Sequence, residues 1–213
     1  MDYILNTTKF ILEGTVTTFE LYLVTAVFAV PLGILLALGK ISKSKLLKQA
    51  IGIYTWVFRG TPLLLQLFFT YYGLPNLGIT LEPFTAAAIT FVLNYAAYLT
   101  EIFRAGIEAI DRGQYEAAKV LGMNYRQTML RIILPQAIKR VLPPTCNEAI
   151  TLVKDTALVA AIAMGDLLRA AKETAVRDFT ITPYIIAAIM YLLISSVIVN
   201  IFKRLEERYS VYE

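Results

Sequence analysis

Residues 21–38 contain no charged side chain, and no other feature restricts the fold of this chain so strongly. In hydrocarbon, every backbone N–H and C=O must be satisfied within the protein, so an apolar run of that length is read as a membrane-crossing helix. A crossing needs about 20 mainly apolar residues for about 30 Å of hydrocarbon. Five segments are expected to supply one: residues 15–38, 50–74, 83–103, 135–164 and 184–202. The second is interrupted by Arg59-Gly60-Thr61-Pro62. The fourth carries Lys139, Arg140, Glu148, Lys154 and Asp155, so it cannot face lipid throughout. The expected fold is an all-α membrane protein with about five transmembrane helices in a single domain, residues 1–213.

The basic residues orient this layout. Lys40, Lys43, Lys45 and Lys48 share one side with Arg104, Arg112, Lys119, Arg126, Arg131, Lys139, Arg140, Lys203, Arg204 and Arg208. The other side receives Lys9, Arg169, Lys172 and Arg177, and Arg59 and Lys154 lie within spans. Fourteen against four places the N-terminus outside and the C-terminus in the cytoplasm. Ile4, Leu5, Phe10, Ile11 and Leu12 sit among Asp2, Lys9 and Glu13, a pattern expected of a surface-lying helix and not of a cleaved signal peptide. Residues 73–82 read as a short external loop. Residues 165–183, with Leu167, Leu168 and Ala171 at helical spacing, read as an external surface helix, either a partner contact or a solvated connector.

Composition removes most chemistry. The chain has no His and only Cys146, which excludes His-based acid–base catalysis, the usual zinc sites and an intrachain disulfide. No phosphate-binding glycine loop or nucleophile elbow is present. The net charge of +4 is explained by membrane orientation and needs no nucleic acid. With 57% hydrophobic residues and a mean hydropathy of +0.61, little mass remains outside the membrane, so no enzyme is expected on this chain.

The segment 104–134 is the informative exception to the apolar text. It holds Glu116-Ala117-Ala118, then after three intervening residues Gly122, then after nine more Ile132 and Leu134, with Pro135 following. A short Ala-rich helix with Glu116 in its first turn and a glycine at its end offers a compact surface on which another backbone can lie closely. An amphipathic connector between two spans is the plainer reading.

This spacing resembles the EAA loop of bacterial ABC importer permeases. Three further stretches resemble the polar amino-acid branch of that family, the permeases for histidine, arginine, glutamine, glutamate and opines: Phe58-Arg59-Gly60-Thr61-Pro62-Leu63, Tyr98-Leu99-Thr100-Glu101-Ile102-Phe103-Arg104-Ala105-Gly106-Ile107, and Leu142-Pro143-Pro144 followed by Asn147-Glu148 and Lys154-Asp155-Thr156. The resemblance implies a MetI-like permease architecture in a bacterial plasma (inner) membrane. It implies ATP-binding cassette ATPase subunits docked through Glu116, Ala117, Ala118, Leu121 and Gly122, with Arg112 and Arg126 flanking the contact. It further implies ATP and Mg on that partner, with no cofactor on this chain. A second permease chain (identical or sister) and an extracellular or periplasmic solute-binding protein complete the expected assembly. Glu20 in the first span departs from the neutral residue expected there; it either snorkels outward or adds selectivity.

Polar side chains within spans are expensive and need partners or a water-filled path. Asn94 and Tyr98 share a helix face, and Glu148, Thr151 and Asp155 recur at helical spacing on another span. Substrate binding is therefore expected at Glu148, Asn94, Asn147, Tyr98 and Thr151. Lys154 and Arg59 are internal counter-charges for Glu148; the alternative is the ammonium or guanidinium of an amino acid. Arg59 is expected to bond carbonyls freed by the break at Gly60 and Pro62, or to pair with an acid. Glu101 and Arg104 are expected to pair at the membrane boundary. The second function class consistent with the residues is a small ion-coupled carrier or channel working without ATP, with Glu148 as its coupling carboxylate.

Overall fold

The computed structural model describes residues 2–209, almost all of them helical and none in a strand. Helix α1 spans Asp2–Ile41, α2 Lys45–Gly60 and α3 Leu63–Phe68. Helix α4 spans Pro83–Glu108, α5 Arg112–Val120, α6 Tyr125–Thr128, α7 Leu134–Asp155, α8 Leu167–Asp178 and α9 Thr182–Tyr209. Among the described residues, α1, α4 and α9 are long and apolar enough to cross a membrane.

The segments expected to form the second and fourth spans are built differently. Residues 50–74 are divided between α2, α3 and a π-helical turn, Phe69–Gly73. Pro62 disfavours helical backbone at Thr61, which is extended (φ −119°, ψ 146°), and the helix restarts one residue after the proline. In the fourth segment α7 continues through Pro143 and Pro144, then tightens into a 3₁₀ helix, Thr156–Ile162.

Helix α1 is a single 40-residue rod, about 60 Å at 1.5 Å per residue. No separate surface helix precedes it: Ile11 is buried with Leu167, Ala170, Ala171 and Ala187 of α8 and α9. Its inward stripe is made of small residues, Thr18, Thr25, Ala29, Gly33 and Ala37. Small residues let helix backbones approach in a medium without a hydrophobic driving force. At Gly33 a Cβ would lie 2.8 Å from the Cβ of Leu99, so α1 and α4 touch there at glycine distance. Phe91, Tyr95, Leu21, Leu67, Leu152 and Val159 complete the central core around α4.

The two ends of the bundle differ. At one end Ile41 packs with Ile107, Ile110, Tyr115, Met129 and Ile133, bringing the end of α1, the end of α4 and the α5–α6 region together. At the other, α8 lies across α1 and α9, with Leu167 and Ala171 fully buried. Helix α8 is thus packed into the fold and is no solvated connector.

Candidate functional site

Three polar arrangements follow from this packing. The first surrounds the break between α2 and α3. Interrupting a helix at membrane depth frees backbone carbonyls, and each unsatisfied one costs about 1–3 kcal/mol. The Phe58 carbonyl accepts from Asn94 Nδ2 at 2.9 Å and from Gln66 Nε2 at 2.9 Å. Gln66 Nε2 also reaches the Thr61 carbonyl (3.1 Å) and hydroxyl (2.8 Å), and Gln66 Oε1 accepts from Asn94 at 3.0 Å. Thr61 donates to the Val57 carbonyl at 2.9 Å, and the Tyr98 hydroxyl to that of Arg59 at 3.4 Å.

Asn94 is 4% exposed and committed to this seal. Arg59 does not occupy the role expected of it: Asn94, Gln66 and Tyr98 hold the freed carbonyls, while its guanidinium sits 5.3 Å from the centre of the Tyr98 ring. Gln66 was not singled out from sequence. Its signal was available, since an amide four residues after a proline lies one turn into the restarted helix, where it can reach back over the break.

The second arrangement is a cavity of about 210 Å³ between α1, α4 and α7, lined also by Phe202 of α9. Glu148 and Thr145 of α7, Tyr95 and Leu99 of α4, and Tyr22, Thr25 and Ala29 of α1 line it. Glu148 is half-buried, and among the described residues no hydrogen bond or ion pair reaches its carboxylate. Lys154 is exposed and forms no ion pair with it. Arg59 and Asp155 act on it only through space. Asp155 itself accepts a hydrogen bond from Tyr95 at 2.7 Å.

Of the five expected substrate residues, Glu148 alone lines this cavity. Asn94 and Tyr98 face the α2–α3 break, Asn147 is exposed on α7, and Thr151 is half-buried one turn beyond Glu148. The single pocket expected to join Asn94 to Glu148 is two separate arrangements on neighbouring faces of α4.

At the basic end, Glu101 accepts from Arg104 Nε at 2.9 Å and also pairs with Lys40, which donates to the Thr55 hydroxyl at 3.0 Å. Arg104 pairs in addition with Glu108. The expected pair is present, and Lys40 extends it into a tie between α1, α2 and α4.

The third arrangement is α5 with its neighbours. Asp111 caps α5 by accepting from the Gly113 N–H at 2.7 Å. At the other end Gly122 (φ +72°) closes a Schellman motif: its N–H donates to the Lys119 carbonyl at 3.0 Å, and the Met123 N–H to that of Ala118 at 3.0 Å. Asn124 and Gln127 then form a capping box that starts α6.

The caps fix which face α5 presents. Ala118 is fully buried and points into the bundle end, which corrects the expectation that it meets a partner. Its small side chain lets α5 sit close to α4 and the Met129–Ile133 turn. Glu116, Ala117 and Gly122 are exposed, and Val120 and Leu121 are 87% and 76% exposed, with Tyr125 beside them. Val120 and Tyr125 were not singled out from sequence.

Comparison with known proteins places this geometry. The family described as binding-protein-dependent transport system inner membrane component matches residues 29–211. The arginine transport system permease protein ArtQ of Bacillus subtilis is 43% identical, over 93% of this chain and 92% of that protein. The L-cystine transport system permease protein TcyB of the same organism is 38% identical, over 92% and 86%. The putative glutamine transport system permease protein GlnP of Rickettsia bellii is 40% identical, over 93% and 92%. A solved structure of an amino acid ABC transporter with histidines superimposes with a TM-score of 0.89 at 37% identity, covering 97% of both chains. The MetNI methionine ABC transporter in an inward-facing conformation shares the fold, with a TM-score of 0.73 at 19% identity. The chain belongs to the family of binding-protein-dependent transport system inner membrane components.

Proposed function

We propose that this chain is the transmembrane subunit of an ATP-driven importer that moves a polar amino acid, with basic side chains favoured, into the cytoplasm. The observation that carries the coupling half of this reading is the two-sided α5. Ala118 anchors it to the bundle while Val120, Leu121 and Tyr125 stand exposed at one end of the molecule. Exposed apolar clusters of this kind mark contact sites. ATPase subunits carrying ATP and Mg dock there, with Glu116, Ala117 and Gly122 inside the contact. The N-terminus and α8 lie outside, the α5 end in the cytoplasm, and α2–α3 and α7 with its 3₁₀ extension complete five crossings. A second permease chain shares the translocation path, and an external binding protein delivers the amino acid.

The basic preference rests on Glu148, a carboxylate in an intrachain cavity with no counter-charge bonded to it. Relatives named for arginine, glutamine and cystine transport support an amino-acid substrate. The test is reconstitution of the chain with its co-encoded ATPase in liposomes and measurement of ATP-dependent arginine uptake. Leu121→Asp is expected to abolish uptake while the assembled bundle keeps its thermal midpoint. Parent-level uptake by Leu121→Asp sinks the docking assignment.

A further inference from the structure

Thr25 lies on α1, faces the Glu148 cavity and is completely buried, and its hydroxyl has no hydrogen-bond partner. A helical threonine ordinarily returns its hydroxyl to the carbonyl four residues back. Thr15, Thr18, Thr90 and Thr100 of α1 and α4 do so, at 3.0, 3.5, 2.7 and 2.6 Å. Thr25 does not, although a buried hydroxyl without a partner costs about 1–3 kcal/mol.

The other hydroxyls around the cavity are spoken for in two cases out of three. Thr145 donates to the Val141 carbonyl at 2.7 Å and Tyr95 to Asp155 at 2.7 Å, while Tyr22 lines the wall. What the cavity leaves open is a carboxylate, which accepts, and a hydroxyl, which accepts or donates, among three aromatic rings: Tyr22, Tyr95 and Phe202. The two are not bonded to each other, and a ligand with several N–H groups can donate to both. Aromatic faces favour a cation. The volume of about 210 Å³ is far above the roughly 15 Å³ that one water needs.

We propose that Thr25 is a specificity-determining residue: the guanidinium or ammonium of a basic amino-acid side chain enters this cavity, donates to Glu148 and Thr25 together, and is framed by Tyr22, Tyr95 and Phe202. The inference rests on the proposed Glu148 site and deepens it. Since all five named groups belong to one chain, each protomer holds a complete side-chain site. A neutral amide such as that of glutamine gains little from the carboxylate and does not depend on Thr25.

Titration calorimetry of the solubilised transporter complex with arginine, lysine and glutamine provides the test. Thr25→Val, nearly isosteric, is expected to weaken arginine and lysine about ten-fold and to leave glutamine unchanged, with Thr25→Ser restoring the parent affinities. If Thr25→Val folds poorly, Thr25→Ala is expected to show the same split. Equal losses for all three ligands, or no loss for any, overturn the role of Thr25. Glu148→Gln separates the two levels. If it erases the basic preference while Thr25→Val preserves it, the carboxylate site stands and Thr25 falls. If Glu148→Gln leaves the preference intact, the underlying reading falls as well.

Discussion

Two polar clusters flank α4 on neighbouring faces, and they are opposites in saturation. At the α2–α3 break, Asn94, Gln66, Thr61 and Tyr98 direct their donors to freed carbonyls or to one another. At the cavity behind Tyr95 and Leu99, Glu148 and Thr25 line one space with no hydrogen bond to the carboxylate or the hydroxyl among the described residues. Both contain the residue types expected of a binding site, and both lie against α4, a helix long and apolar enough to cross a membrane. In a low-dielectric medium an unmade hydrogen bond is costly, so a saturated cluster explains itself through the fold. An open one needs a visitor. Saturation, more than residue type, separates scaffold from site.

The comparison breaks first at Glu148. Glu148→Gln is expected to lower arginine uptake by ten- to a hundred-fold, the worth of one charge-assisted hydrogen bond of about 1.5–3 kcal/mol. Glutamine uptake and the thermal midpoint are expected to stay at the parent level, because replacing an unpaired half-buried carboxylate relieves desolvation. A large stability loss instead would make Glu148 part of the scaffold.

At the saturated cluster the expected pattern reverses. Asn94→Leu leaves Gln66 Oε1 without its donor and the Phe58 carbonyl with one partner fewer, costing about 1–3 kcal/mol of stability. Denaturant or thermal unfolding in detergent reads this loss, and substrate selectivity among the folded molecules should be unaltered. A selectivity change without a stability change would move Asn94 back into the binding site.

These two clusters also show what the sequence could and could not reveal. The apolar runs of α1, α4 and α9 are legible because the bilayer fixes both their length and their lack of charge. The Arg-Gly-Thr-Pro break is legible because proline restricts the residue before it. Its partners were misassigned: Arg59 has the larger donor set, but Asn94 and Gln66 converge on the carbonyls from α4 and α3. That convergence depends on the tertiary approach of α4. Ala118 was grouped with Ala117 because composition cannot distinguish the inner from the outer face of a short helix. Thr25 and the small-residue stripe of α1 looked like ordinary span residues, since their meaning lies in which helix they touch. Lys40 was counted as a loop charge, although its long stem lets it reach Glu101 across the bundle end.

A smaller effect is expected at Gly122, outside both clusters, where geometry alone is at stake. Its left-handed backbone penalises any β-carbon by about 1–2 kcal/mol, while a Cβ there would meet nothing within 4 Å. Gly122→Val should therefore fray the Schellman cap and loosen α5 without a clash inside the chain. The expected outcome is more ATP hydrolysed per arginine transported, with the bundle's unfolding midpoint moved little. Unchanged coupling would mean that the register of α5 is set by Ala118 and the Asn124 capping box alone.

The smallest effect sharpens the comparison, because Asp166 is a buried carboxylate of the saturated kind. It is 1% exposed, caps α8, and accepts from the Leu168 and Arg169 N–H groups at 3.1 and 2.9 Å. Burial pushes its carboxyl above the ordinary value, although both N–H groups and the Arg169 charge pull the other way. The sign then follows. An acid whose folded pKa exceeds its unfolded value, about 3.9, favours the folded state while it is protonated. That favour is lost as pH rises from the unfolded value through the folded one. Asp166→Asn keeps an oxygen for the cap, at which Asn and Asp are nearly equivalent, and removes the charge that burial penalises. The variant is expected to match the parent within about 1 kcal/mol at acid pH. It should gain on the parent as pH rises through the raised pKa, read as the difference in thermal midpoint at pH 4 and pH 7. A parent that instead gains on the variant with rising pH would show that the two N–H bonds outweigh burial. Saturation by two backbone donors would then be enough to hold a full charge at that depth, and Glu148, which has none, would stand out more sharply still.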